Sequence, residues 1–138
     1  MRLWHQALIA ELPRQQLLGQ HRECCALRGN GWGRKHAVVN YVFTHKPDCL
    51  VAYHYLVMDE MRKRGYKPDE RWYNCDFRGN TLGTERGRCD PNVVSGLAMA
   101  AHMCNMMIYP EHNNDYLQEC IDNLKQKGID IYGTARNV

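Results

Sequence analysis

Apolar positions recur every three or four residues in four stretches of the chain and lose that period between them. The clearest stretch is Leu50, Val51, His54, Val57, Met58 and Met61, with Lys63 and Arg64 in the last turn. Pro47 and Asp48 suit its first turn and Gly65 its left-handed stop, so a helix is predicted over 47–64. An earlier helix is predicted from 13 to about 27, opened by Pro13 and ended by Gly29, Gly31 and Gly33. A third begins at Asp90-Pro91 and uses Val93, Val94, Leu97, Ala98, Ala101 and Cys104. A fourth follows a turn at 109–112, with Leu117, Cys120, Ile121 and Leu124 as its stripe and Gly128 as its stop. Met99, Met103, Met106 and Met107 are expected to fill core, and His54 to be a satisfied core histidine. Residues 1–12 alternate too little for a strand. Residues 67–91 hold Pro68, Gly79, Gly83, Gly87 and Pro91 without a sustained period, and 129–138 are expected to be partly extended. The expected fold is therefore mainly α. It is a single domain over 1–138, a bundle of about four helices with long irregular connections.

Composition narrows this only a little. The apolar and charged shares, 44% and 24%, are those of an ordinary globular protein. No apolar run approaches the ~20 residues that span a bilayer. The start lacks the long apolar segment of a secretory signal, so a cytoplasmic protein without membrane association is expected. Seven cysteines are an odd number, Cys24 and Cys25 are adjacent, and no C-x-x-C pair occurs. These spacings fit neither a disulfide framework nor a zinc knuckle; buried thiols and no bound metal are the expectation.

Charge changes the picture more. The net +3 is uneven: residues 1–46 hold seven Lys/Arg against two acidic residues. Residues 47–90 hold eight of each, and 91–138 hold three basic against five acidic. The whole surplus lies in the first third, which suggests a polyanionic partner, most simply nucleic acid. The glycine loop there carries Arg28, Asn30, Trp32, Arg34, Lys35 and His36. A phosphate-contacting loop with an exposed indole and a flexible solvent loop describe it equally well. Arg78, Arg86 and Arg88 make a second basic loop that suits the same role.

On a helical wheel Leu17, His21 and Cys24 share one side of the first helix with Leu18 and Cys25. Gln15, Gly19, Arg22, Glu23 and Ala26 share the other. That second face is either a solvated surface or the floor of a site that holds one carboxylate beside positive charge.

These residues carry a resemblance. Glu11-Leu12, then Leu17, then Arg22-Glu23 resembles the first helix of the pyrimidine-dimer DNA glycosylases of the endonuclease V type. Glu60-Met61-Arg62-Lys63-Arg64-Gly65-Tyr66 is similar to that family's second-helix ending, and Tyr109-Pro110-Glu111-His112 is a weaker echo. Met1-Arg2-Leu3-Trp4 with the Leu18-Gly19-Gln20-His21-Arg22-Glu23 run resembles a bacterial branch grouped with these enzymes. The likeness covers about two thirds of the chain.

The resemblance implies a mostly helical single-domain enzyme that removes a damaged pyrimidine from duplex DNA and then nicks the abasic strand. It implies that an amino-terminal α-amine attacks the sugar C1′ to give an imine. Glu23 matches the assisting glutamate, Arg22 the arginine beside it and Arg2 the basic residue near the nucleophile. Met1, Glu23 and Arg22 are thus the expected catalytic residues, and Arg2, Gln15, Arg28, Arg34 and Lys35 the expected DNA contacts. No cofactor is required. The chemistry is coherent: an α-amine with a pKa of ~7.8 is partly neutral at pH 7, whereas an ordinary lysine at ~10.4 is almost wholly protonated. A carboxylate stabilises positive character on the sugar and handles protons during elimination, and Arg22 favours its ionised form. Gly19 and Ala26 leave room for an extruded nucleotide.

The chain departs from the family at three places. Arg2 is too large for ordinary methionine trimming, so Met1 supplies the amine. Ala26 stands where the family has a second arginine, leaving Arg28 to approach from another direction. The aromatic tail is reduced to Tyr132-Gly133, and 90–107 has no counterpart. Two other readings stay open: a non-catalytic nucleic-acid-binding module of the same fold, and an unrelated enzyme or metal protein using its His and Cys residues.

Overall fold

The computed structural model describes residues 2–34 and 39–131. The expectations for Met1, Lys35, His36, Tyr132 and Gly133 lie outside the described residues. Four α-helices occur among those described: α1 (Arg14–Arg28), α2 (Pro47–Lys63), α3 (Pro91–Cys104) and α4 (Asn114–Gln126). The mainly α class holds.

Local chemistry sets the ends of these helices. Pro47 and Pro91 occupy first-turn positions, where a missing N–H costs nothing. The Asp90 carboxylate accepts from Asn92 N–H and the Asn113 side chain from Tyr116 N–H, so α3 and α4 both start on a side-chain cap. Gly65, just beyond α2, has φ +92°. Gly31 is required for another reason: a Cβ there would sit 2.7 Å from the Ala26 carbonyl oxygen as the chain folds back under α1.

α2 is the central element and packs against both α1 and α3. Its whole predicted stripe is buried, His54 included. Cys120, Ile121 and Leu124 of α4 are buried as predicted, with Leu117 partly covered. The opening residues are more structured than their pattern suggested. Leu3, Trp4, Leu8, Ile9 and Leu12 are all buried, and 3-10 helix forms over Gln6–Glu11. Burial here is irregular in spacing, so no two-residue period announces it.

Two expectations are corrected. The methionines of α3 and the turn after it do not fill core: Met99 is 60% exposed, Met103 76%, Met106 59% and Met107 38%. Only Val94, Ala98 and Ala101 of α3 are fully buried, because α3 offers α2 a narrow strip of small residues. Trp32 is not an open indole: it stands edge-on to Phe43, and the Arg88 guanidinium covers its ring.

Candidate active site

α1 carries polar side chains on two opposite faces, and they meet different fates. Gln16, Gly19, Gln20 and Glu23 follow the three- and four-residue spacing that makes one line along a helix. They form one wall of a cavity of about 310 Å³. Arg2 and Trp4 of the opening segment form a second wall, and Asn123 and Lys127 close the third from the end of α4. Gly19 is its floor. A Cβ there would meet only Arg22 Nη2, at 3.7 Å, so this glycine serves the space rather than the packing. The same distance puts the guanidinium of exposed Arg22 close to Gly19. Glu23 is half-buried and lines this cavity together with the cations Arg2 and Lys127.

The opening segment is tied down at every carbonyl. Gln20 is 2% exposed; its Oε1 accepts from Trp4 N–H at 2.6 Å and its Nε2 donates to the Arg2 carbonyl at 3.0 Å. Tyr116 O–H donates to the Leu3 carbonyl and Tyr53 O–H to that of Trp4, each at 2.5 Å. The Arg2 guanidinium lies over the Trp4 ring, and its Nη1 is 3.6 Å from a Glu119 carboxylate oxygen.

The opposite face of α1 is closed. Arg28, expected to contact DNA, is 3% exposed and has no surface to offer a phosphate. Its guanidinium instead donates to the carbonyls of Trp72 (2.7 Å), Asn74 (2.9 Å) and Phe77 (3.2 Å), fastening the 67–91 loop to α1. It also donates to His54 Nδ1 at 2.9 Å. A guanidinium can only donate, so His54 carries its proton on Nε2 and gives it to His21 Nδ1 at 2.8 Å. Burial, then Arg28, then His21 hold His54 well below the usual histidine range. His21 is lowered by burial and its neighbouring arginines.

Cys25 Sγ lies 3.9 Å from His54 Nε2 and 3.8 Å from His21 Nε2, and the three residues are spaced closely enough to hold a metal ion. The second shell is wrong for one. A histidine that ligates through Nε2 donates from Nδ1 to an acceptor, and here Nδ1 faces an arginine donor. Burial also raises the Cys25 thiol to about 11.

The remaining expected contacts scatter. Gln15 is exposed but Gln16 lines the cavity in its place. Arg34 is exposed in the glycine loop, where its Nε donates to the Asn30 carbonyl at 2.8 Å. Arg78 is spent on the carbonyls of Arg28 and Gly29. Met1 and Lys35 are not described. The sequence reading overlooked Trp4, Gln16, Gln20, Asn123 and Lys127. The spacing of 16, 20 and 23 was a usable signal; the approach of α4 was not. A larger groove of about 580 Å³ lies elsewhere, between Gln6–Glu11, α2 and α3. Its wall holds Asp59 and Glu60 against the single cation Lys63, the wrong balance for a polyanion.

Comparison with known proteins bears on the first of these cavities. The family model described as pyrimidine dimer DNA glycosylase matches residues 1–74, more than half of the chain and including all of α1. No curated protein and no solved structure matches. The chain belongs to the pyrimidine dimer DNA glycosylase family.

Proposed function

We propose that the chain is a single-domain cytoplasmic DNA repair enzyme over residues 1–138. It removes damaged pyrimidines from duplex DNA and cleaves the resulting abasic site by β-elimination. The observation that carries this reading is the shared cavity: Glu23 on α1 and Arg2, next to the amine of Met1, line one hollow with cations around it.

The steps follow from the groups present. The neutral amine of Met1 attacks C1′ as the glycosidic bond breaks, and the base departs with the bonding electrons and gains a proton. Loss of a proton from nitrogen and opening of the sugar ring give the imine. Glu23 first stabilises the positive sugar. It then takes a proton from C2′, and the 3′ phosphate leaves with its electron pair. Water hydrolyses the imine and frees the amine. Arg22, Arg2 and Lys127 stabilise the phosphates on either side, and Gly19 leaves space for the extruded nucleotide.

One observation favours a second reading, a module that binds DNA without cutting it. The resemblance implies an arginine where this chain has Ala26, and Arg28, buried, does not supply that charge at the surface. The two readings part on a duplex carrying one pyrimidine dimer. Cleavage that disappears in Glu23→Gln supports the enzyme. Salt-sensitive binding with no strand break on dimer or abasic duplex supports the module.

A further inference from the structure

We propose that Gln20 is a positioning residue for this reaction, its side-chain amide standing in for a neighbouring strand that aims the start of the chain at Glu23. The inference rests on the enzymatic reading above.

Chain ends usually fray unless a sheet or docked helix holds them. No strand occurs among the described residues and residues 2–4 lie in no helix, yet they are largely buried, with Leu3 and Trp4 in the core. Their backbone groups therefore need partners from outside any ladder. Gln20 supplies two of them in the pattern that one residue of an adjacent parallel strand would supply. It donates to the carbonyl of Arg2 and accepts from the N–H of Trp4. The orientation of the amide is unambiguous, because a backbone carbonyl only accepts and a backbone N–H only donates. Only glutamine offers both functions at this reach. Ionised glutamate lacks the donor, asparagine is one methylene shorter, and methionine fills the volume without either bond.

Location separates this clamp from ordinary satisfaction of buried backbone. Gln20 sits on the cavity wall, three residues before Glu23 on the same helix, so one rigid turn fixes both the acid and the segment that leads to the amine. Tyr116, which donates to the Leu3 carbonyl, holds the same segment from α4. Such a device acts on the rate at which amine and sugar meet, not on how tightly duplex is held.

The test compares wild type with Gln20→Met, both expressed from Met1, on a duplex containing one abasic site. Duplex affinity and strand-cleavage rate are measured separately. The expected result is affinity within about twofold and cleavage at least about tenfold slower. A small soluble primary amine, able to form the imine in place of the terminus, then restores cleavage by Gln20→Met above the rate of amine alone. It gives no such gain in a Gln20→Met, Glu23→Gln double variant. Wild-type cleavage by Gln20→Met overturns the clamp alone; so does a joint loss of affinity and rate that amine does not rescue. If Gln20→Met does not fold, Tyr116→Phe is read the same way, with a several-fold slowing and amine rescue expected. A wild type that never cleaves the abasic duplex overturns the enzymatic reading and the clamp with it.

Discussion

The two polar faces of α1 are the instructive contrast. On one side His21 and Arg28 meet His54 and three loop carbonyls, and the cluster closes on itself. On the other, Gln16, Gln20 and Glu23 border 310 Å³ of open space. Both faces hold charged residues that a sequence reading would nominate for chemistry. The closed face spends its donors on the fold, so removing a member costs stability. The open face leaves room beside its charges, so on the proposed function removing a member is expected to cost activity.

Four experiments break or sharpen that contrast. The largest effect is expected from Glu23→Gln. Losing a general acid–base group lowers turnover by roughly 10²–10⁴-fold, while the thermal midpoint stays within a few degrees. An active Glu23→Gln removes the open face from the reaction. Next comes Arg28→Ala, which strips the partner from three loop carbonyls, that of Phe77 buried and those of Trp72 and Asn74 partly so, at up to ~1–3 kcal/mol each. A loss of at least about 3 kcal/mol in denaturant unfolding is expected. A stable Arg28→Ala with weakened DNA binding reverses the assignment of Arg28.

The third is a pH effect on stability. His54 is held well below its ordinary value, and burial lowers His112 to about 3. Both folded values lie below the unfolded 6.5, so the unfolded chain takes up protons that the folded chain refuses. Stability is whole above pH 6.5. It falls as the pH drops, by up to about 1.4 kcal/mol per unit for each ring, and the His112 share continues to about pH 3. Unfolding curves at pH 7.5, 6 and 5 measure it; a flat profile contradicts the neutral-ring network. The smallest effect on stability is at Gly19. Gly19→Ala adds about 0.5–1 kcal/mol of helix stability. Gly19→Leu folds as well as wild type but fills the cavity and loses activity. Full activity in Gly19→Leu shows that nothing enters there.

What the sequence made legible follows the same division. The helices were readable because Pro47, Gly65, Asp90 and Gly128 punctuate them and α2 repeats its apolar stripe without a break. Glu23 and Gly19 were readable because they share a helix face, a local property. Arg28 was not: one residue beyond the predicted end of α1, in a glycine-rich basic stretch, it resembles a loop cation. Only the tertiary return of residues 72–77 shows the carbonyls waiting for it. Lys127 and Asn123 reach the cavity through the packing of α4, more than a hundred residues from Arg2. No spacing rule encodes that. The exposed methionines of α3 failed for a related reason. Helical period tells which residues align, not how wide a strip the neighbour covers.

The most direct test joins the open face to the start of the chain. Wild-type protein is mixed with abasic duplex, reduced with borohydride and mapped by mass spectrometry, with Lys127, an amine on the cavity wall, as internal comparison. The expected result is a covalent adduct on the α-nitrogen of Met1, abolished by prior amino-terminal acetylation. An adduct on Lys127, or one that survives acetylation, contradicts the proposal that the chain's first nitrogen does the chemistry.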